Sequence, residues 1–479
     1  MSTRTDTAFP LSQDEIPNQI QDQIRAEVQD QIRDHLAATL AGITVSRFLV
    51  AYSGGLDSTV LLHALAALRT HLPTPLHAVY VDHGLQPASR DWAAHCRAEC
   101  ERLGIDFTLC TVEVKRDGEG LEAAARRARY EALAAIMHEG DALLTAHHRG
   151  DQAETVLLQL LRGCGPHGLA AMLAIERFAA GWHVRPLLDL ERSTLEAYAK
   201  AAGLRSIDDP SNADTQLRRN YLRHEIIPRL HQYWPQLART LSRSAAHAAA
   251  AVKILDEVAA TDLTAARGPR PEMLSIAALA ALSRERSDNL LRYWLHTLEF
   301  APPSTAHLKR LHDEVIAARD DAAPLLAWRG TEIRRYRGWL YAMAPLNTLA
   351  SPDPQLALYW ENLSEPLPLP DGAFLQARLT QGAGLRTDLG PLTVHFRRGG
   401  ERCRPAARGV QRSLKKLLQE AGVAPWLRSH VPLIDAVIDG SVQLAAVADL
   451  CIMEGCGAGA QETGWSIEWH PPVSVRPSR

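Results

Sequence analysis

Apolar residues recur in two rhythms along this chain. Ile16, Ile20, Ile24, Val28, Ile32 and Leu36 fall every fourth position, which predicts a helix over 14–38. A strict four-residue step drifts by about 40° each time, so the stripe winds around the helix instead of holding one face. Gln-Asp-Gln-Ile-Arg stands at 21–25 and again at 29–33. Such a helix either packs on the domain that follows or pairs with a second copy to make a homodimer, and packing is the plainer expectation. Residues 1–10 carry no such rhythm and are expected to be disordered.

The second rhythm begins at Val45. Short apolar runs at Phe48–Tyr52, His77–Asp82, Ile105–Val114 and Ala142–Ala146 alternate with helical stretches at Thr59–Leu68, Trp92–Leu103, Leu121–His138 and Asp151–Leu161. Repeated strand–helix units predict an α/β fold, an open parallel Rossmann-like sheet with helices on both faces, whose ligands bind at the carboxyl ends of the strands. From about Tyr233 to Ala317 the chain is rich in Ala, Leu and Arg with helical spacing, and Thr331–Met343 reads as a strand. Prolines crowd 350–372, as in a linker or a sheet edge. Strand runs at Leu392–Arg397, Val442–Val447 and Trp465–Trp469, with a helix near Ser413–Glu420, predict a small α+β domain. The expected division is a helical extension (1–44), an α/β domain (45–232), a mainly helical domain (233–349), a linker (350–384) and a C-terminal α+β domain (385–479).

Composition narrows the classes. Lys and Arg number 52 against 55 Asp and Glu, a net charge of −3 over 479 residues, so any RNA contact must come from local basic patches. Two exist. Residues 217–229 hold four Arg and one Glu, and residues 397–416 hold six Arg and two Lys against one Glu. The seven cysteines form no CxxC pair, which argues against a zinc ribbon, a cysteine-ligated cluster or a disulfide framework. Cys96 and Cys100 share a predicted helix and read as ordinary helix positions. The start of the chain resembles no signal peptide, and no apolar run reaches the roughly 18 residues a membrane helix needs, so a cytoplasmic protein is expected.

The strongest local signal is Ser53-Gly54-Gly55-Leu56-Asp57-Ser58-Thr59, which follows the first strand and opens a helix. Two glycines allow a sharp turn and close approach of the backbone to a ligand. The helix N-terminus and loop amides offer N–H groups to an anion, and Ser53, Ser58 and Thr59 add hydroxyls. Asp57 would be repelled by phosphate unless it holds a divalent cation. The sequence is neither a Walker A loop nor GxGxxG. The bland alternative is a capped glycine turn.

This loop resembles the pyrophosphate-binding loop of the N-type ATP pyrophosphatases, the PP-loop superfamily, which implies an adenine-nucleotide α-hydrolase-like sheet and cleavage of ATP between its α and β phosphates. Further segments follow in order. They are Tyr80-Val81-Asp82-His83-Gly84-Leu85, Glu122–Tyr130, Thr145–Thr155, Arg162–Leu169, Val184–Leu188, Asp208–Asn212, Arg219–Arg223, Phe396–Arg402, Ser413–Lys416, Pro425–Arg428 and Val431–Ile434. Together they resemble the tRNA(Ile)-lysidine synthase family over more than half the chain. Gly150 stands where that family usually has an acidic or polar residue after its paired histidines, and Cys164 where it usually has Ser or Thr.

The resemblance implies an AMP-forming ligase that uses ATP, Mg2+, free L-lysine and the isoleucine tRNA with a CAU anticodon. It places Ser53–Thr59, Asp82, His83 and His147 at the nucleotide, with Asp57 and Arg126 at the reaction. Arg129, Tyr130, Asp151, Glu154, Arg162, Arg185, Asn212, Arg219 and Arg223 fall to lysine or tRNA, as do Arg397, Arg402, Lys415, Lys416 and Arg428. From the residues alone, Asp151 and Glu154 share one side of a helix, as do Arg126, Arg129 and Tyr130, and either set could equally be a solvated face. Two other readings stay open at this point: a tRNA thiolase of the same superfamily, and a non-catalytic nucleotide- or RNA-binding protein.

Overall fold

The computed structural model describes residues 18–72, 74–86, 88–115, 120–319, 322–345, 352–370, 372–406 and 409–470. The expected disorder of 1–10, and Ile16, lie outside these residues. The chain forms two compact units, Met1–Lys253 and Ile254–Arg479.

The first unit is built on a six-stranded sheet. Its elements run α1 (Asn18–Leu40), β1 (Arg47–Ala51), α2 (Leu56–Ala67), β2 (Leu76–Asp82), α3 (Ser89–Leu103), β3 (Asp106–Thr111), α4 (Leu121–Ala135), β4 (Asp141–Leu144) and α5 (Arg149–Leu161). Then come α6 (Pro166–Leu169), β5 (Ile175–Phe178), β6 (Gly181–Val184), α7 (Arg192–Ala202), α8 (Arg218–Tyr221), α9 (Ile227–Tyr233) and α10 (Leu237–Ala266), the last running into the second unit. The strand order is β3-β2-β1-β4-β6-β5. Every pair is parallel except β5 with β6. This antiparallel edge hairpin carries no clear apolar alternation, β5 being only partly buried, and the sequence pattern did not reveal it.

The central strands are buried on both faces, which is why they read as continuous apolar runs. Phe48, Val50, Ala78, Tyr80, Ala142 and Leu144 face one core, and Leu49, Val79 and Leu143 the other. The chain leaves β1 toward β2 on one side, while β4 lies on β1's other side. The loops after β1 and β4 therefore meet at the carboxyl edge where the strand order reverses, the place where such sheets form a crevice.

The helix expected over 14–38 is α1. Its Ile32, Leu36 and Leu40 are fully buried in the larger core of this unit, and His35 Nε2 lies 2.9 Å from the Pro186 carbonyl. The apolar stripe from Ile32 onward is thus spent within the chain, as the packing reading expected.

In the second unit, β7 (Met273–Ser275), α11 (Ile276–Ala281), α12 (Arg284–Thr297), α13 (Thr305–Arg310), β8 (Leu325–Trp328), β9 (Thr331–Tyr336) and β10 (Trp339–Met343) surround a core with Trp294 and Leu290 at its centre. The single strand expected over Thr331–Met343 is a hairpin. Arg337 and Gly338 take positive φ (48° and 78°), which turns the chain between β9 and β10. The described residues between 352 and 470 form a β-rich body with the helix Leu414–Glu420. The stretch expected as a linker, 350–384, contributes to it: Ala357–Trp360 pairs with Leu392–His395, and Phe374–Gln381 pairs with Thr463–His470 over eight positions. Leu375 and Ala377 alternate into the core, and the prolines that suggested a linker flank these strands.

Candidate active site

The loop after β1 is shaped by contacts that only glycine permits. Gly54 takes φ +78°, and a Cβ there would stand 2.3 Å from Ile207 Cδ1 and 2.9 Å from Cys96 Sγ. Its carbonyl accepts the Ile207 N–H at 2.8 Å. Gly55 is the N-cap of α2, and no side chain caps that helix, so its first-turn amides lack an acceptor from the protein's own side chains. Ser58 Oγ lies 3.1 Å from Ser53 Oγ and donates to the Gly55 carbonyl at 3.0 Å. Thr59 Oγ1 reaches the Gly54 and Gly55 carbonyls at 3.1 and 2.9 Å. The hydroxyls of Ser58 and Thr59, expected as phosphate donors, are thus buried braces of the loop, while Ser53 is exposed at its mouth.

Asp57 lies in the first turn of α2. Its Oδ1 is out of solvent and has no hydrogen-bond partner. Burial raises its pKa, against the pull of His148 and Arg192. His148, at the end of the loop after β4, brings its Nε2 to 3.9 Å from Asp57 Oδ2 and 3.4 Å from Asp151 Oδ2. Its Nδ1 accepts the Gly150 N–H at 3.0 Å, so the neutral ring carries its proton on Nε2, toward the two carboxylates. The His148 N–H donates to Asp151 Oδ2 at 3.0 Å, which closes a capping box on α5. A Cβ at Gly150 would stand 2.7 Å from His148 Cε1, so the glycine that departs from the family pattern fits the closed cap.

Sequence reasoning chose His147 and passed over His148. His147 Nδ1 instead meets Thr145 Oγ1 at 2.8 Å, and its ring leans on His183 at 6.3 Å between centroids. Burial lowers its pKa well below the usual histidine value. The signal for His148 was available: a histidine followed three residues later by Asp at the start of an apolar helix.

Asp151 and Glu154 sit on one side of α5 and meet Arg219 and Arg223. Arg219 Nε lies 2.7 Å from Glu154 Oε2, and its Nη2 3.2 Å from Asp151 Oδ1. Arg223 Nε lies 2.5 Å from Glu154 Oε1, and its Nη2 2.9 Å from Asp151 Oδ1. Burial alone would raise Asp151, yet His148 and Arg219 hold it down at about 2. Sequence reasoning gave all four residues to lysine or tRNA; the fold makes them one ion-pair network of buried carboxylates and partly buried guanidinium groups.

On α4, the exposed Arg126 guanidinium lies 4.9 Å from the centre of the Tyr130 ring, and Tyr130 packs edge-on against Phe178 at 5.6 Å. Arg129 Nε reaches His83 Nε2 at 3.3 Å. Burial and Arg129 push the His83 pKa down to about 4, so its ring is neutral and accepts that hydrogen bond. Asp82 Oδ1 accepts the Gly84 N–H at 2.8 Å, which makes Asp82 the pivot of the turn after β2. A cavity of about 700 Å³ opens there, lined by Asp82, Gly84, Ser89, Arg90 and Arg97.

Other expected residues fall elsewhere. Arg185 is buried, donating to the Leu173 carbonyl and to Glu176 Oε1, both at 2.6 Å, with His183 Nδ1 at 3.0 Å. It locks the β5–β6 edge through these partners. Arg162 is exposed at the far end of the 13-residue α5, about 20 Å from its start. Asn212 is exposed, and its carbonyl meets His224 Nε2 at 2.9 Å. Asn220, which sequence reasoning missed, is buried and donates to the Ser211 and Asp214 carbonyls at 2.9 and 3.0 Å. It pins the turn that follows Ile207.

In the second unit, Arg402, Lys415 and Lys416 are exposed. Arg397 lies 3.7 Å from Glu401. Arg428 is partly consumed by the Val423 carbonyl (3.0 Å) and Tyr336 Oη (3.2 Å).

A glycine loop after the first strand of a parallel sheet, with an uncapped helix start at the strand-order reversal, defines a PP-loop protein, and the PP-loop domain model matches residues 24–230. The TilS substrate binding domain matches 274–341 and the TilS C-terminal domain 392–469. The tRNA(Ile)-lysidine synthase of Coxiella burnetii is 42% identical over 431 residues, 89% of this chain and 94% of that protein. Its namesake in Alkalilimnicola ehrlichii is 45% identical over 392 residues, 81% of this chain and 87% of that one. The chain belongs to the tRNA(Ile)-lysidine synthase family. Among solved structures, a U34-tRNA thiolase from Methanococcus maripaludis covers 47% of this chain and 79% of its own at 16% identity and a TM-score of 0.40.

Proposed function

We propose that this chain is a cytoplasmic, ATP-dependent, C–N bond-forming ligase that attaches L-lysine to C2 of the wobble cytidine of the CAU-anticodon isoleucine tRNA. The product reads AUA in place of AUG. The observation that carries the chemistry is the uncapped turn at Gly54–Gly55, held open at the strand-order reversal with Asp57, His148 and Asp151 on its rim.

Backbone amides at 54–58 and the exposed Ser53 hydroxyl receive the β and γ phosphates of ATP. The unpartnered, buried Oδ1 of Asp57 fits a divalent cation, Mg2+. No cluster of three ligating side chains occurs among the described residues, so Asp57 would hold the ion together with phosphate oxygens. When bound, the ion neutralises charge on the leaving pyrophosphate. The cytidine O2 attacks the α phosphorus, the bond between that phosphorus and the α,β-bridging oxygen breaks, and pyrophosphate leaves with that oxygen. The lysine ε-amine, having lost a proton, then attacks C2, and AMP departs with O2. The exposed Arg126 guanidinium, propped on Tyr130, meets charge on the nucleotide in this reading. The lysine ammonium competes with Arg219 and Arg223 for Asp151 and Glu154.

The thiolase alternative needs a reactive thiol. Cys96 and Cys100 lie on α3, buried, with burial pushing both thiols up to about 12, far from the thiolate that sulfur transfer requires. The intact Ser53–Ser58 run speaks against a non-catalytic binder with a degenerate loop. The test is incubation with ATP, radiolabelled lysine and total tRNA. Label in tRNA with release of AMP supports the ligase; sulfur transfer without lysine label would replace it with the thiolase.

A further inference from the structure

The corner between α9 and α10 carries a feature that the loop chemistry does not use and that lies between the segments matched by the family models, 24–230 and 274–341. Tyr233 ends α9 and Trp234 caps it; Pro235 then forbids continuation, and the chain turns into α10. Both rings stand in solvent, Tyr233 78% and Trp234 59% exposed, with centroids 6.0 Å apart. A large aromatic pair is costly to leave in water, and such pairs are held out where something covers them.

The charge around the corner says what covers it. From Ile226 to Leu255 there is no Asp or Glu, while Arg229, Arg239, Arg243 and Lys253 are present. Arg229 sits one turn before Tyr233 on α9 and has a single exposed partner, Glu225, at 3.4 Å. Arg239 and Arg243 are exposed, one turn apart on α10. A protein whose overall charge is −3 thus presents here a predominantly cationic stretch, with Glu225 beside Arg229 at its start, crowned by two exposed π faces. Aromatic faces flanked by guanidinium groups are the composition that binds single-stranded nucleic acid, the rings stacking bases and the cations tracking phosphates.

We propose that Tyr233 and Trp234 form a stacking platform for an unpaired base of the RNA substrate, with Arg229, Arg239 and Arg243 holding its flanking phosphates. This rests on the reading of the chain as an RNA-modifying enzyme and adds a positioning surface away from the loop at 53–59.

The test uses the full chain and an unmodified transcript of the CAU-anticodon isoleucine tRNA. Trp234→Ala should raise the tRNA Kd by about five- to one-hundred-fold, the range for loss of one stacked base. KM for tRNA should rise with it, while ATP affinity and melting temperature stay at wild-type values. Trp234→Phe, which keeps a π face, should recover most of the loss. Arg239→Gln should weaken binding and lower the slope of log K against log salt by about one. An unchanged tRNA Kd in Trp234→Ala overturns the platform, as does a fall in melting temperature, which marks the corner as a protein-packing surface. Phe failing to recover binding overturns stacking. If the wild-type chain binds this tRNA but adds no lysine, the ligase reading fails while the platform is still measured by Kd.

Discussion

Ile207 donates its backbone N–H to the Gly54 carbonyl, and its Cδ1 fills the space that a Cβ on Gly54 would need, 2.3 Å away. The phosphate loop is therefore set from two sides: from its own sequence, and from a segment some 150 residues downstream.

Gly54→Ala should fail for two reasons, its φ of +78° and the collision with Ile207. Left-handed backbone costs about 1–2 kcal/mol outside glycine, and the clash adds to it. Pyrophosphate release should fall at least about 100-fold. Gly54→Ala/Ile207→Ala should regain part of the lost melting temperature, because the collision with Ile207 goes while the φ strain and the close approach to Cys96 Sγ stay; stability and release kinetics check both.

Asp57 is raised by burial, so the folded state binds its proton more tightly than the unfolded chain does. Its ionised form weakens the fold at neutral pH, and that penalty fades as pH falls through the raised folded pKa toward the ordinary carboxylate value. Asp57→Asn should therefore melt at or above the wild-type temperature at pH 7 while ATP-dependent pyrophosphate release drops by about 100-fold or more. Parallel thermal melts and a release assay test the pair.

The network of Asp151, Glu154, Arg219 and Arg223 should behave as one object. Arg223→Ala leaves Glu154 buried with half its partners and should cost about 3 kcal/mol in urea unfolding. Asp151 is depressed to about 2, so its contribution is fully present above the unfolded carboxylate value of about 3.9 and is lost as pH falls toward 2. The stability gap between wild type and Asp151→Asn should narrow across that window.

Much of this was legible in the sequence. The central parallel strands and their helices followed from continuous apolar runs, because β1, β2 and β4 are buried on both faces, while β3 at the edge is only partly buried. The loop announced itself through Gly54 and Gly55, and Asp57 through a carboxylate set where an anion belongs. What could not be read were contacts made across the fold. Arg185 looked like any exposed cation until β5 and β6 were seen to enclose it. Arg219 and Arg223 looked like an RNA patch because their partners lie about 70 residues away. Ser58 and Thr59 turned inward because the loop needs its own carbonyls satisfied.

Asn220 links that downstream segment to the loop. Its side chain donates to the Ser211 and Asp214 carbonyls, fixing the turn that carries Ile207 onto Gly54. Asn220→Ala should cost about 1–3 kcal/mol and raise KM for ATP more than it lowers kcat. A change in stability with an unaltered KM would mean the turn does not set the loop.

The most direct measurement follows one oxygen atom. An isoleucine tRNA carrying 18O at C2 of its wobble cytidine is incubated with ATP and lysine, and the AMP is weighed by mass spectrometry. If the loop holds the departing pyrophosphate while the base oxygen takes the α phosphate, the AMP carries the 18O, one per lysine incorporated. AMP without the heavy oxygen would mean that another group is adenylated, and the account would be wrong.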